Sequence, residues 1–352
     1  MTRIAVIPGD GIGVEVIAEA LKALSTLTEL SGKKIETVEF DYGADRYIRD
    51  GTALPADALD RFRSEFDAIL LGALGDPRIP DMKHAVEILY GIRSGLDLYA
   101  NMRPVKLLDR RLSPLKGVVE SDVDFTVFRE NVEDLYVGIG GTFKKETPDG
   151  KAIQESETTR GVVERILDAG FRFAVSNGLK RLTMSEKSNA LRFTGDLWQK
   201  VFVEVAGRYP QIEAEHLYVD SLAMALIKEP SRFDVIVTSN IFGDIITDLG
   251  AQLQGGLGIA ASGNINPKGT CMFEPVHGSA PKYAGKNLAN PFAAILSLQM
   301  LLDHLGFKAE AILIEAAIRE CIREDDCTPD IGGQLGTKEA GESVCRRLRE
   351  LA

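Results

Sequence analysis

Cysteine, tryptophan and histidine are all scarce in this chain of 352 residues, which has four, one and four of them. No two cysteines form a Cys-x-x-Cys pair, and the histidines show no spacing typical of zinc ligands. The sequence therefore predicts neither a disulfide framework nor a zinc site, and we expect a protein of the reducing cytoplasm. The cysteines are Cys271, Cys321, Cys327 and Cys345.

The chain also lacks long hydrophobic runs and an excess of positive charge. No apolar run approaches the ~20 residues of a membrane span, and the opening MTRIAVIPGDGIG has the pattern of a strand and a turn, not of a signal peptide. The formal net charge is −11, and an acidic surface repels the phosphates of nucleic acids. We expect neither a membrane nor a nucleic-acid partner, although a local arginine cluster can still bind a small anion.

Short apolar runs alternate with stretches of helical periodicity along the chain. The length exceeds what one hydrophobic core usually supports, so two domains are expected. The alternation favours an α/β fold with a parallel or mixed sheet covered on both faces. Residues 140–150 are polar and rich in turn residues, and 152–157 resemble a returning strand, so this region is either a projecting hairpin or a surface loop. The strands are predicted at residues 4–7, 68–71, 125–128, 182–184, 217–219 and 235–237.

The first turn has a glycine pattern that is close to a dinucleotide-binding fingerprint. Gly9 and Gly11 match the motif G-x-G-x-x-G, but Val14 stands where the third glycine is needed. Glu15 also places a negative charge where a pyrophosphate would lie. A tight turn between strand and helix is the alternative interpretation.

Two aspartates indicate a site for a divalent cation. Asp244 and Asp248 are four residues apart, so on a helix they lie on one face. Asp220 follows an apolar run, and we expect it at the end of a strand as a third ligand. Carboxylate oxygens suit Mg²⁺ or Mn²⁺. A solvated helix face is the alternative.

Several cationic and phenolic groups could act on an anionic substrate. Arg93, Arg103 and Arg129 would together bind a diacid, because guanidinium groups hold carboxylates in bidentate fashion. Lys187 is a candidate base and Tyr136 a candidate acid. Each of these residues could instead have an ordinary surface or packing role.

Taken together, eight ordered segments resemble the β-decarboxylating hydroxyacid dehydrogenases. This family includes the isopropylmalate, isocitrate, homoisocitrate, tartrate and D-malate dehydrogenases. One departure is Val14, where the family generally has proline. The segments are GDGIGVEV, LDLYANMRP, FRENVEDLYVG, SEKSNALR, YVDSLAM, SNIFGDIITDLG, FEPVHGSAP and NLANP.

The resemblance implies an isopropylmalate/isocitrate dehydrogenase-like α/β fold. Such a subunit has two domains and a shared, mixed sheet, and it is not a Rossmann fold. Residues 1–98 and 251–352 would form a discontinuous nucleotide-binding domain, and 99–250 the substrate and dimerisation domain. An arm at about 137–157 would intertwine two subunits in a homodimer or higher oligomer.

The resemblance also assigns roles to the acidic, basic and phenolic residues. Asp244 and Asp248 would bind Mg²⁺ or Mn²⁺ together with Asp220 of the partner subunit. Lys187, also from the partner, would assist removal of the substrate hydroxyl proton. Tyr136 would protonate carbon after CO₂ leaves, and the three arginines would bind the substrate carboxylates.

The nucleotide would be NADP or NAD. Members that use NAD usually have Asp-Ile after HGSAP, whereas this chain has Lys282 and Tyr283, which favours NADP because a cation neutralises the 2′-phosphate. Residues 327–333 resemble the NAD-using isopropylmalate enzymes instead. The cofactor-binding residues that the resemblance implies are Ile12, Glu274, His277, Gly278, Ser279, Ala280, Pro281, Lys282, Tyr283, Asn290 and Asp330.

Residues before Arg93 bear on the substrate. Glu87 and Leu89 stand where isocitrate enzymes have serine and asparagine, and Tyr90 stands where homoisocitrate enzymes have arginine. Leu89 and Tyr90 resemble an apolar lining for an isopropyl group, which favours 3-isopropylmalate. SEKSNALR favours D-malate or tartrate as the alternative, followed by isocitrate or homoisocitrate. A non-catalytic regulatory relative or a binding protein is disfavoured, because every acid, base and metal-ligand position is filled.

Overall fold

The structure is a computed structural model that describes residues Met1–Ala352. None of its helices combines the length and the apolar character that crossing a membrane requires. The strands are β1 (Thr2–Ile7), β2 (Ile35–Glu39), β3 (Ala68–Leu71), β4 (Ala100–Lys106), β5 (Asp124–Glu130), β6 (Gly140–Phe143), β7 (Lys151–Gln154), β8 (Arg181–Glu186), β9 (Glu213–Tyr218), β10 (Val235–Thr238), β11 (Ala261–Ile265) and β12 (Cys271–Pro275).

The helices alternate with these strands, which confirms the predicted α/β class. They are α1 (Ile12–Ser31), α2 (Ala44–Asp50), α3 (Ala58–Glu65), α4 (Lys83–Gly95), α5 (Arg160–Ser176), α6 (Arg192–Ala206), α7 (Val219–Lys228), α8 (Asn240–Gln254), α9 (Phe292–His304), α10 (Lys308–Arg323) and α11 (Thr337–Leu351).

The chain forms two compact units. Unit 1 consists of Met1–Leu98, Arg103–Val123 and Ala251–Ala352, and unit 2 of Tyr99–Met102 and Asp124–Gly250. The predicted domain borders, at 98/99 and 250/251, coincide with borders of these units. Residues 103–123 differ from the prediction: they were expected in the second domain, but they belong to unit 1. Strand β4 therefore contributes residues to both units.

Unit 1 is built on the strand order β2-β1-β3-β12-β11. The neighbours of β1 and β3 run parallel, whereas β11 and β12 are antiparallel, which makes this sheet mixed. Both faces of β1 and β3 are buried: Ile4 and Val6 are as inaccessible as Ala5 and Ile7. Continuous apolar runs of this kind are typical of strands covered by helices on both sides.

Unit 2 has a parallel sheet in the order β5-β10-β8-β9. Helix α5 lies close against it, since a Cβ atom at Gly170 would come within 2.5 Å of Val237 Cγ2. The carboxyl ends of β5, β8, β9 and β10 carry the polar residues that the sequence singled out. Ends of parallel strands are where α/β proteins usually place their sites.

The segment after Tyr136 is a hairpin, one of the two interpretations that the sequence allowed. Strands β6 and β7 pair in antiparallel register, with Gly140 opposite Gln154 and Phe143 opposite Lys151. The hairpin exposes apolar side chains, with Phe143 at 49% and Ile153 at 44% accessibility. A two-stranded ribbon with an exposed apolar face is only marginally stable by itself.

Two strand predictions need correction at their ends. Asp220 does not end a strand, because β9 stops at Tyr218 and Val219 begins helix α7, which places Asp220 in the first helical turn. The apolar run at 217–219 thus spans a strand end and a helix start, which hydrophobicity alone does not separate. Arg129 lies within β5, not after it.

The first turn has a structural role within unit 1. Cβ atoms at Gly9 and Gly11 would come within 2.2 Å of the carbonyl oxygens of Ala73 and Ser279, and both glycines have positive φ. The buried Asp10 carboxylate accepts hydrogen bonds from the Ala44 and Gly75 amides, at 2.7 and 2.8 Å. The turn therefore makes its close contacts with protein backbone.

Replacing Asp10 by asparagine should destabilise unit 1 strongly. His84 Nε2 lies 3.0 Å from Asp10 Oδ2, and one amide oxygen cannot accept from all three donors. We expect Asp10→Asn to lower the free energy of unfolding in urea by about 2–4 kcal/mol. Asp50→Asn, at an exposed carboxylate that also accepts from a backbone amide, is the control. A loss below ~1 kcal/mol in Asp10→Asn would contradict this account.

Candidate active site

Arg129, Tyr136 and Asp244 form one cluster in unit 2. The buried Arg129 guanidinium donates to Asp244 Oδ1 at 2.5 Å, and its Nε donates to both the backbone and the side-chain oxygen of Asn240, at 2.8 and 2.9 Å. The Tyr136 hydroxyl donates to Asp244 Oδ2 at 3.3 Å, and the guanidinium lies 5.2 Å from the Tyr136 ring centre. Strand β5 and helix α8 thereby bring together three of the predicted residues.

Gly243 makes this arrangement possible. A Cβ atom at this position would come within 2.4 Å of Arg129 Cγ and 2.6 Å of Arg129 Cβ. The aliphatic part of Arg129 therefore passes directly over the α8 backbone. This close approach gives Gly243 a packing reason to be glycine.

Lys187 and Asp220 form a second pair in unit 2. Lys187 follows β8, and its ammonium lies 2.7 Å from Oδ1 of Asp220, in the first turn of α7. This ammonium holds the pKa of the exposed Asp220 carboxyl below its usual range. The predicted base and one predicted metal ligand are thus in contact within the same chain.

The candidate ligands for a cation are two carboxylates on α8. Asp244 and Asp248 stand one turn apart on that helix, with Asp248 exposed and Asp244 partly so. The chain does not gather three or more acidic, histidine or cysteine side chains into one metal-binding group, so Asp220 of the same chain does not complete the set. Two carboxylates on one face fit Mg²⁺ or Mn²⁺ as a partial ligand set that further oxygens must complete.

Arg93 is held by an ion pair in unit 1. Its guanidinium donates to Glu274 Oε1 at 2.8 Å, and Asn264 donates to the same oxygen at 2.7 Å. Arg93 is buried, and its Nε has no hydrogen-bond partner in the protein. Tyr90 places its ring 5.9 Å from the guanidinium. Glu274, predicted as a cofactor residue, therefore contacts a predicted substrate residue.

The other predicted substrate residues of unit 1 have different environments. Leu89 is partly buried and packs on the hydrophobic core of α3, α4, β1 and β3. Arg103 is buried in β4. Glu87, on the exposed side of α4, forms an ion pair with Lys83 at 3.6 Å.

The predicted nucleotide loop is attached to the start of α1. The Ile12 amide donates to the Ser279 carbonyl at 2.8 Å, and Gly285 N donates to the Glu15 carboxylate. Ala280 has a φ of 38°, and after it Pro281–Tyr283 form a short 3₁₀ turn. The hydrogen bond between Ile12 and Ser279 brings the start of α1 next to this loop. Predicted cofactor residues that are far apart in the sequence therefore lie in one region of unit 1. Gly278 also lies in this loop, where it is exposed.

The remaining predicted cofactor residues range from exposed to buried. The exposed Lys282 ammonium lies 4.7 Å from the centre of the Tyr283 ring. Asn290 donates to Asp330 Oδ2 at 3.0 Å, which joins two further predicted residues. Burial lowers the pKa of His277, so its imidazole is neutral at pH 7.

Two positioning residues escaped the sequence analysis. Asn240 binds Arg129 across 111 residues of chain. The Glu130 carboxylate accepts hydrogen bonds from the backbone amides of Val132 and Glu133, in the segment that connects β5 to Tyr136. Burial of this carboxyl group raises its pKa to about 7. A signal for Asn240 was its position two residues beyond the buried strand β10, at the start of α8.

Comparison with known proteins identifies the family. The family described as isocitrate/isopropylmalate dehydrogenase matches residues 3–344. The chain belongs to the isocitrate/isopropylmalate dehydrogenase family. This membership confirms the resemblance seen in the sequence and the predicted enzyme class, a decarboxylating hydroxyacid dehydrogenase.

Relatives at high coverage agree with this membership. A protein of Thermobifida fusca named 3-isopropylmalate dehydrogenase is 45% identical over 350 residues, covering 99% of this chain and 98% of its own. A protein of the same name from Streptomyces coelicolor is 46% identical over 348 residues, with 98% of both chains covered. These similarities confirm the predicted oxidoreductase.

A solved structure shows the same fold. Isocitrate dehydrogenase from Methylococcus capsulatus aligns with a TM-score of 0.89 at 35% identity, covering 99% of this chain and all of its own. The predicted family fold is therefore confirmed. The family acts on small molecules and depends on a metal and a nicotinamide nucleotide, and which metal and which nucleotide serve this chain are taken up below.

Adding a methyl group at Gly243 should displace Arg129. Because the added Cβ would overlap the Arg129 side chain, we expect Gly243→Ala to break the Arg129–Asp244 ion pair and raise KM for the hydroxyacid substrate about tenfold or more. Gly161→Ala, at a helical glycine with nothing within 4 Å of an added Cβ, is the matched control. An unchanged KM in Gly243→Ala, with Arg129 in place in its crystal structure, would refute this role.

Proposed function

We propose that this protein catalyses the oxidative decarboxylation of 3-isopropylmalate to 4-methyl-2-oxopentanoate and CO₂, with reduction of NADP or NAD. The observation that carries the proposal is the pair of acid–base clusters in unit 2, Lys187–Asp220 and Arg129–Tyr136–Asp244. The name shared by the relatives of 45–46% identity supports the choice of substrate.

The substrate carboxylates bind to arginine. Arg93, Arg103 and Arg129 are all buried, so their guanidinium groups act in surroundings where charge–charge attraction is weakly screened. Leu89 and Tyr90 contact the isopropyl group. Leu89 is half-buried on the core, which gives the alkyl chain a fixed apolar surface.

Asp244 and Asp248 would hold a divalent cation, Mg²⁺ or Mn²⁺, together with Asp220 of the partner subunit. When bound, such a cation supplies Lewis acidity that stabilises negative charge on the substrate. Arg129 and Tyr136 both contact Asp244, so they orient its two oxygens. The low pKa of Asp220 keeps that carboxyl ionised, as a metal ligand must be.

The remaining residues move protons. Lys187, in its neutral amine form, accepts the proton of the substrate hydroxyl. A bound nicotinamide would supply the hydride acceptor for the carbinol carbon. Loss of CO₂ from the resulting β-carboxylated 2-oxo acid leaves an enolate, and the Tyr136 hydroxyl delivers a proton to its carbon, which gives 4-methyl-2-oxopentanoate. Each proton thus has a named donor and acceptor in the chain.

The enzyme assembles as a homodimer or a higher oligomer, with Lys187 and Asp220 acting across the interface. Exposed apolar side chains on α7 and α8 support this: Met224 is 67% and Ile245 59% accessible. The β6–β7 hairpin adds a second exposed apolar surface. In the proposed assembly the partner subunit covers these exposed apolar side chains.

The preferred nucleotide is NADP. Lys282 is exposed beside Tyr283 in the loop attached to α1, where its charge is available to a 2′-phosphate. The cofactor contacts Ile12, Asn290, Asp330 and the loop from Glu274 to Tyr283. The cell compartment is the cytoplasm, and the four unpaired, buried cysteines agree with a reducing environment.

A second candidate activity is decarboxylating oxidation of D-malate or tartrate. The segment SEKSNALR around Lys187 favours it, because this segment resembles the branch that acts on those acids. Isocitrate and homoisocitrate are less compatible with Leu89 and Tyr90, since a third carboxylate would meet an apolar surface.

A substrate panel tests the proposed function. Purified protein is mixed with Mg²⁺ or Mn²⁺, either nucleotide, and 3-isopropylmalate, D-malate, tartrate, isocitrate or homoisocitrate, and absorbance is followed at 340 nm. We expect the highest kcat/KM with 3-isopropylmalate, and a fall of at least ~10²-fold in kcat in Lys187→Ala. Faster turnover of D-malate or tartrate supports the second candidate, and no turnover of any acid refutes both.

Lys282 should set the nucleotide preference. We expect NADP⁺ to give the higher kcat/KM in the unmodified protein and Lys282→Asp to reverse the order, because aspartate repels the 2′-phosphate and accepts from ribose hydroxyls. Lys286→Asp, at an exposed lysine four residues on, controls for the change in net charge. A higher efficiency with NAD⁺ in the unmodified protein would refute the assignment.

A further inference from the structure

A buried carboxylate lies next to Lys187 and has no role in the chemistry described above. Glu186 is the last residue of β8, and its side chain is 3% exposed. Its Oε1 accepts hydrogen bonds from His216 Nε2 at 2.6 Å and from Gln199 Nε2 at 3.0 Å, while Oε2 has no partner in the protein. A buried carboxylate is costly unless its neighbours stabilise it, so the placement calls for a reason.

His216 connects this carboxylate to the neighbourhood of the Lys187 ammonium. Glu186 is paired with Tyr218 in the register of β8 and β9. The His216 ring stands perpendicular to the Tyr218 ring, with centres 5.1 Å apart. The Tyr218 ring centre in turn lies 5.8 Å from Lys187 Nζ.

Helix α6 fixes the same segment from the other side. Gln199 donates both to Glu186 and, at 2.7 Å, to Ser188 Oγ. The residues before and after Lys187 are therefore held by one amide group. A Cβ atom at Gly195 would come within 2.5 Å of Glu186 Oε2, so the packing leaves the carboxylate little freedom.

We propose that the His216–Glu186 hydrogen bond positions Lys187. By joining the carboxyl ends of β8 and β9, the bond sets the distance between Lys187, which follows β8, and Asp220, which follows β9. Glu186 and His216 are positioning residues, since they act through Lys187. This inference rests on the proposed role of Lys187 as the group that accepts the hydroxyl proton.

The geometry predicts an effect on kcat more than on stability. A misplacement of about 1 Å at a reacting group can reduce a rate about 10²-fold. Glu186 and His216 have no proposed contact with the substrate, so KM should change little. A bond that only stabilised the fold would lower the melting temperature and leave kcat unaltered.

Two substitutions of His216 separate the hydrogen bond from the ring packing. His216→Phe retains a ring against Tyr218 and removes the donor to Glu186. His216→Gln removes the ring and retains an amide N–H donor at a similar reach. We expect kcat to fall at least about tenfold in His216→Phe and to stay within about threefold of the unmodified protein in His216→Gln.

Thr183→Val is the matched control. Thr183 is buried on the same strand and donates to Glu215 of β9 at 2.8 Å. Its loss removes another side-chain bond between β8 and β9 away from Lys187, and we expect unchanged kcat.

Crystal structures of the unmodified protein and both His216 variants give a readout that does not need turnover. We expect the Lys187–Asp220 contact to be kept in His216→Gln and lost in His216→Phe. Equal kcat in the two variants, or an intact contact in His216→Phe, would overturn the inference. If the unmodified protein oxidises none of the acids, the proposed function fails, and the crystallographic comparison still decides whether this bond positions Lys187.

Discussion

The positions of the candidate catalytic residues in unit 2 depend above all on the ion pair between Arg129 and Asp244. This ion pair joins strand β5 to helix α8, and the two oxygens of Asn240 fix the direction of the guanidinium. Tyr136 donates to the other oxygen of the same carboxylate. Asp244 is therefore shared by the Arg129 guanidinium, the Tyr136 hydroxyl and the proposed metal. A change in any one of these contacts therefore alters the others.

The second acid–base pair is separate and has its own support. Lys187 and Asp220 follow adjacent parallel strands, whose register determines how far apart their side chains can be. In the proposed arrangement, the buried Glu186 of β8 and its partners His216 of β9 and Gln199 of α6 restrict that geometry locally. Placing reactive groups on strand ends and their supports within the strands is an efficient way to hold geometry to a fraction of an ångström.

Local sequence patterns predicted much of the fold. Residues 68–71 form β3 as expected, because four consecutive apolar residues between polar turns are typical of a strand with both faces buried. The pattern did not locate the start of α7, since Leu217 and Val219 are apolar on either side of the boundary. The segment 103–123 was predicted in the wrong domain. Its assignment to a unit depends on contacts with residues far away in the sequence, which local patterns do not reveal.

The pairing of site residues was beyond the reach of the sequence. Arg129 and Asn240 meet across 111 positions, and Arg93 and Glu274 across 181. Spacing reveals neighbours within a helix, such as Asp244 and Asp248, but not partners on different strands. The family resemblance indicates which residues belong to the site, and the structure shows which of them are in contact.

The ion pair of Arg93 with Glu274 has a consequence for selectivity. An arginine whose charge is already balanced gains little from a second anion, so a ligand carboxylate that reaches it must share the guanidinium with an acid already in place. Recognition at Arg93 therefore depends on whether the ligand fits the N–H groups of the planar guanidinium that Glu274 does not occupy. The net charge of the ligand matters less. Small inorganic anions, which offer charge without shape, are poor competitors at such a position.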